Sequence, residues 1–152
     1  GNIPTFAYAG VFYQDIRNPE FLFKYLCTLQ QDFRFHVYLR HRDPYTTSLL
    51  NKYQQILGEK LVVHYSMERT ELLYQLSLCH FLINISNTTT TQLPSKLIDY
   101  GITKRPVYSF DKQSFKPQVF DAFMHSDYTH AMILDTRPYN IEVVTKQFLD
   151  LH

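Results

Sequence analysis

The sequence is poor in glycine: four residues in 152, at Gly1, Gly10, Gly58 and Gly101. A Gly-x-Gly-x-x-Gly dinucleotide loop and a Gly-x4-Gly-Lys-Ser/Thr phosphate loop both need clustered glycines. Neither can be present, so any nucleotide site here works without a glycine cradle. Cysteine is equally scarce. Cys27 and Cys79 stand alone, with no Cys-x-x-Cys, and read as small buried apolar residues of a reducing compartment. The seven histidines show no His-x-x-x-His or Cys/His spacing, so no metal site is expected. An excess of one charge sign is also missing. Fifteen Lys+Arg are interspersed with fourteen Asp+Glu, for a net charge of +1. Nucleic-acid binders usually carry a basic stripe, and no nucleic-acid partner is expected. No apolar run approaches the ~20 residues of a membrane-spanning helix. The opening Gly-Asn-Ile-Pro has neither an initiator Met nor the regions of a signal peptide. Residues 1–4 therefore read as a lead-in, with Gly1 a cloning remnant, and the expected location is the cytoplasm.

What is present is a globular composition. At 45% apolar and 19% charged, the chain can bury an ordinary core, and its length suits one domain, taken as 5–152. Short apolar runs rich in β-branched and aromatic residues read as six strands: Thr5–Ala9, Phe33–Leu39, Leu61–His64, Phe81–Ile85, Pro106–Phe110 and Ala131–Leu134. Between them lie helical periods, with Phe21, Leu22, Tyr25, Leu26 and Leu29 on one face, and Leu72, Leu73, Leu76 and Cys79 on another. Helix starts are marked by Asn18-Pro19, Asp43-Pro44, Leu93-Pro94 and Arg137-Pro138. Proline suits the first helical position, and Asn and Asp are good N-caps. A further short helix is expected near Gln118–Met124. Alternating strands and helices imply parallel pairing through right-handed crossovers. The expected fold is a doubly wound, mostly parallel six-stranded Rossmann-like sheet with helices on both faces.

In such a sheet, ligands bind beyond the carboxyl ends of the strands, at the switch point of strand order. That rule selects the loops Gly10–Asn18, Tyr65–Met67 and Ser86–Leu93. The last is hydroxyl-rich and runs into a helix starting near Pro94, whose free N–H groups favour an anion. Ser95 and Asp99, four apart, share a helix face. A carboxylate more than a turn in from the anion site can accept from the two hydroxyls of a ribose.

The segment Pro94-Ser-Lys-Leu-Ile-Asp-Tyr-Gly-Ile-Thr-Lys-Arg-Pro-Val107 resembles the Pro-x-Lys-x-x-Glu-Tyr-x-x-x-x-Lys-Pro-Val pattern of GT-B fold glycosyltransferases, family 4 and its bacterial polysaccharide relatives in particular. The opening Tyr8-Ala-Gly-Val-Phe-Tyr-Gln-Asp-Ile-Arg-Asn-Pro19 is similar to their strand, glycine, loop and basic residue. The likeness spans roughly residues 5–150 and implies the C-terminal, donor-binding half of such an enzyme. It implies that Asp99 grips the ribose, on a shorter stem than the family's Glu. Gly10, Arg17, Ser95 and Lys96 would meet the donor diphosphate, Tyr65 would stack on the base, and Thr90 and Thr91 would lie near the sugar. Thr91 stands where many members have a second Glu, and Val11 replaces a second common basic residue. The donor would be a UDP- or GDP-linked sugar, with no cofactor and no metal. The acceptor site and any general base would belong to an N-terminal partner half, through which peripheral association with the cytoplasmic membrane face is expected. The domain alone would have little or no transferase activity. Two alternatives stand beside this reading. One is a non-catalytic α/β protein-interaction domain, motivated by the 24 Phe and Tyr residues; the other is half of a sugar-nucleotide epimerase.

Overall fold

The computed structural model describes residues 3–10, 12, 18–85 and 95–132, the side chains of Ser95 and Lys96 excepted. Among them, five strands and five α-helices alternate along the chain. They are β1 (Thr5–Gly10), α1 (Glu20–Leu26), β2 (Arg34–Leu39), α2 (Pro44–Leu57), β3 (Leu61–Tyr65), α3 (Arg69–Ser77), β4 (Phe81–Ile85), α4 (Ser95–Thr103), β5 (Val107–Phe110) and α5 (Pro117–Met124). The strands form one all-parallel sheet in the order β3-β2-β1-β4-β5. This is the Rossmann-like arrangement, with the order reversing between β1 and β4.

The alternation along β1 decides which helices pack where. Phe6 and Tyr8 point to one face of the sheet, and Ala7 and Ala9 to the other. On the aromatic face, Phe6 lies beside Phe35 and Phe81 in the strand register, stacked on each at 4.9 Å. Phe120 of α5 meets Phe6 edge-on at 5.3 Å. Such cross-strand and edge-to-face contacts each add to what burial alone provides. The helices α1, α2 and α5 close this face through Leu22, Phe23, Leu26, Leu50, Tyr53, Phe120 and Phe123. On the other face the two alanines leave room for α3 and α4, which bring in Leu72, Leu76, Leu97 and Tyr100. Every strand position of β1 from Phe6 to Ala9 is therefore buried, as a sheet covered on both faces requires.

The aromatic residues go largely into this core, and the exposed large apolar side chains among the described residues are Ile3, Ile56, Tyr74 and Leu78. One local expectation shifts and one holds. Proline at residue 19 occupies the N-cap of α1 and not its first turn, while Asn18 Oδ1 accepts from the Glu20 N–H at 3.0 Å. Asp43 caps α2 as expected, accepting from the Thr46 N–H at 2.9 Å with Pro44 at the helix start.

The expected sixth strand is a correction. Ala131 and Met132 adopt no strand, and Ile133 and Leu134 lie outside the described residues. The Met132 N–H nonetheless donates to the Val107 carbonyl at 2.6 Å. The Pro106 carbonyl points to β4, accepting from Leu82, so the carbonyl of the next residue points to the open edge. Among the described residues this hydrogen bond holds Met132 against the β5 edge. The helix starts expected at Leu93-Pro94 and Arg137-Pro138 also lie outside the described residues, although α4 begins at Ser95. Among the described residues, no helix is long and apolar enough to cross a membrane.

Candidate functional site

The strand order places the switch point between β1 and β4, and there the two strands part. Their register contains only Phe6↔Phe81 and Ala7↔Leu82, against six pairs between β1 and β2. In a parallel ladder the next rung would run from the Ala9 N–H to the Ile83 carbonyl. Instead it passes through a side chain. Tyr100 Oη accepts from Ala9 N–H at 2.8 Å and donates to Ile83 O at 3.1 Å. Tyr100 is 1% exposed, and its burial raises the phenol pKa well above its ordinary value. The hydroxyl therefore stays neutral, able to donate and accept at once. Tyr100 comes from α4, where Leu97 and Tyr100, three apart, share the buried face. Spacing from Leu97 was the signal that could have marked it; its bridging role depends on residues 91 and 17 positions away.

Gly10 ends β1 with φ of 153°, a conformation that side chains other than hydrogen rarely adopt. A Cβ built there would lie 3.0 Å from Tyr8 Oη and 3.2 Å from Tyr8 Cζ. Tyr8 cannot easily move aside, because its ring is buried and stacked on Phe12 at 4.8 Å. Conformation and packing thus both demand glycine at this strand end. The diphosphate expectation for Arg17, and the sugar expectations for Thr90 and Thr91, lie outside the described residues, as do the side chains of Ser95 and Lys96.

On the same sheet edge, β3 ends in Tyr65. The Arg42 guanidinium, from the connection between β2 and α2, sits 4.0 Å from the Tyr65 ring centroid. One face of the expected stacking platform therefore already carries a cation. Ser66 follows with φ of 54° and donates its N–H to the Leu39 carbonyl at 3.0 Å, which turns the chain off the sheet towards α3. Arg69, the first residue of α3, then reaches across to α4. Its guanidinium donates to Asp99 Oδ1 at 2.7 Å, with the aspartate side chain 14% exposed and the arginine 39%. The sequence pattern singles out Asp99 and Tyr65 as candidates but not the arginines beside them, Arg69 and Arg42. Arginine at a helix start or in a loop reads as solvated until the topology supplies its partner.

A second polar cluster lies on the α3 side of the sheet. His36 Nδ1 and His64 Nε2 are 2.9 Å apart across β2 and β3, and Tyr38 stacks on His64 at 4.4 Å. Burial lowers the pKa of both histidines, and their mutual repulsion and Arg34 lower that of His36 further. The two thiols are free, and burial pushes that of Cys79 up to about 11, so neither is a poised nucleophile. Among the described residues, no group of three or more His, Cys, Asp or Glu could hold a metal ion.

The chain matches no protein-family model, and no curated protein is significantly similar to it. The class that the fold defines is a Rossmann-like α/β domain with its strand order reversing at β1 and β4.

Proposed function

We propose that the chain binds a nucleoside-diphosphate sugar, as the donor-binding domain of a GT-B type glycosyltransferase. The observation that supports this reading best is the parting of β1 and β4 at the switch point, spanned by the α4 residue adjacent to Asp99. An open α/β sheet takes its ligand at this point. The α4 N-terminus offers N–H donors to a diphosphate, and a carboxylate in the second turn of the same helix offers an acceptor to ribose hydroxyls. The segment that resembles the glycosyltransferase pattern is the one that builds α4. In glycosyl transfer the anomeric bond weakens as charge develops on the leaving diphosphate. Oriented N–H groups and cations aimed at that charge stabilise the transition state. This chain would provide leaving-group stabilisation, while the acceptor site would belong largely to an N-terminal half.

Calorimetric titration with UDP, GDP and ADP tests the proposal. Saturable one-to-one binding of at least one of them is expected, together with a rise in melting temperature that grows with ligand concentration. Absence of binding by all three at millimolar concentration would reject it.

A further inference from the structure

We infer that Arg69 is a positioning residue for the Asp99 carboxylate, and that the ion pair makes nucleotide affinity depend on the ribose hydroxyls; this rests on the nucleotide reading above. Asp99 stands on a short stem in the second turn of α4, and only 14% of its side chain is exposed. An aspartate can turn about two side-chain bonds, and an unheld carboxylate would be free to swing between partners. Arg69 fixes it through a 2.7 Å charge-assisted hydrogen bond to Oδ1. The described residues supply no partner for Oδ2. A carboxylate oxygen accepts hydrogen bonds, and a sugar hydroxyl is a donor that Oδ2 can take.

The position of Arg69 adds to this. It begins α3 four residues after Tyr65, so the ion pair ties the connection following β3 to α4. A nucleoside lying along this edge would meet both segments, and the pair sets their spacing.

The test compares each of UDP, GDP and ADP with its 2′-deoxy counterpart, in the wild type and in Arg69→Ala, Arg69→Lys and Asp99→Asn. For the nucleotide that binds, Arg69→Ala is expected to weaken the ribose form about ten-fold, the scale of one lost charge-assisted hydrogen bond. The 2′-deoxy form should change less than about two-fold, so that ribose discrimination collapses. Arg69→Lys should keep part of the discrimination. A purely structural role for Arg69 would weaken both sugar forms equally, and that result overturns the inference. So does full wild-type discrimination in Arg69→Ala. If the wild type binds no nucleotide at all, the nucleotide reading itself fails, which is a distinguishable outcome.

Discussion

Tyr100→Phe isolates the hydroxyl that spans the two central strands. The substitution keeps the ring, so little packing in the α4 face is lost, and removes only Oη. The Ala9 N–H and the Ile83 carbonyl, bonded at 2.8 and 3.1 Å in the wild type, are then left without a partner. Both lie in the middle of the sheet, where Ala9 and Ile83 are 3% and 0% exposed, so water does not readily replace the hydroxyl. Each buried polar group left unsatisfied costs about 1–3 kcal/mol, and the pair together about 2–4 kcal/mol once partial relaxation is allowed. Urea denaturation should show the midpoint falling at unchanged slope. For a domain of this size, melting should drop by roughly 2–4 °C per kcal/mol, or about 5–15 °C. Tyr38→Phe serves as the control, since that hydroxyl spans no pair of strands and its loss should cost little. Hydrogen exchange adds a local reading: the Ala9 amide should lose protection while that of Val37 on β2 keeps it. A Tyr100→Phe variant within about 0.5 kcal/mol of the wild type would refute the reasoning, because the strands would then have closed into a direct rung.

Three further outcomes follow from the same geometry. Gly10→Ala should lower stability by about 1–3 kcal/mol in a denaturant titration, since it combines a φ of 153° with a Cβ placed 3.0 Å from Tyr8 Oη; a neutral result would mean that the turn at Gly10 relaxes freely. Asp43→Ala should lower stability by about 1 kcal/mol through loss of the α2 N-cap, and Asp43→Asn by much less. The third concerns acid. His36 and His64 have folded pKa values below those of the unfolded chain, so the unfolded chain takes up their protons first. Stability should be level above about pH 6.5, fall as the pH drops below that value, and level off beneath the folded pKa values. The urea midpoint between pH 7.5 and 5 checks this, and an unchanged slope in His36→Phe/His64→Phe would assign the effect to other groups.

How much of this was legible in the sequence varies with the range of the interaction. The strands were readable because β-branched and aromatic runs such as Phe81–Ile85 are buried on both faces and show no polar alternation. The Asp43 cap was readable because capping couples residues three apart. At Pro19 the same local logic slipped by one position: the Asn18 side chain reaches the Glu20 N–H and leaves the proline outside the helix. The sixth strand rested on the apolar run Ala131–Leu134; its two described residues, Ala131 and Met132, adopt no strand, and Met132 donates one hydrogen bond to the β5 edge. Propensity cannot tell a chain lying on an edge from a chain extending it. Arg69 and Arg42 were invisible for a different reason: each acquires meaning from a partner that only the strand order brings close.

The scarcity of glycine and the role of Tyr100 are linked by one physical requirement. A ligand crevice at a switch point needs the two central parallel strands to separate, and separation orphans backbone groups inside the protein. A glycine-rich turn after the first strand meets that need by letting the backbone itself curl away and face the ligand. With only Gly10 available at this position, the chain has little such freedom, and the strands would be expected to zip together one rung further. The α4 helix prevents this by inserting a neutral hydroxyl that both donates and accepts, which satisfies Ala9 and Ile83 while keeping them apart. Only a phenol on the buried face of α4 has the reach and the dual hydrogen-bonding capacity to do so from a helix packed on the sheet. Asp99 is the residue before it, and a turn of about 100° around the helix carries its carboxylate off that face, towards α3 and Arg69. The side chain that holds the strands apart and the carboxylate proposed to meet a ribose are therefore consecutive, and moving one must move the other.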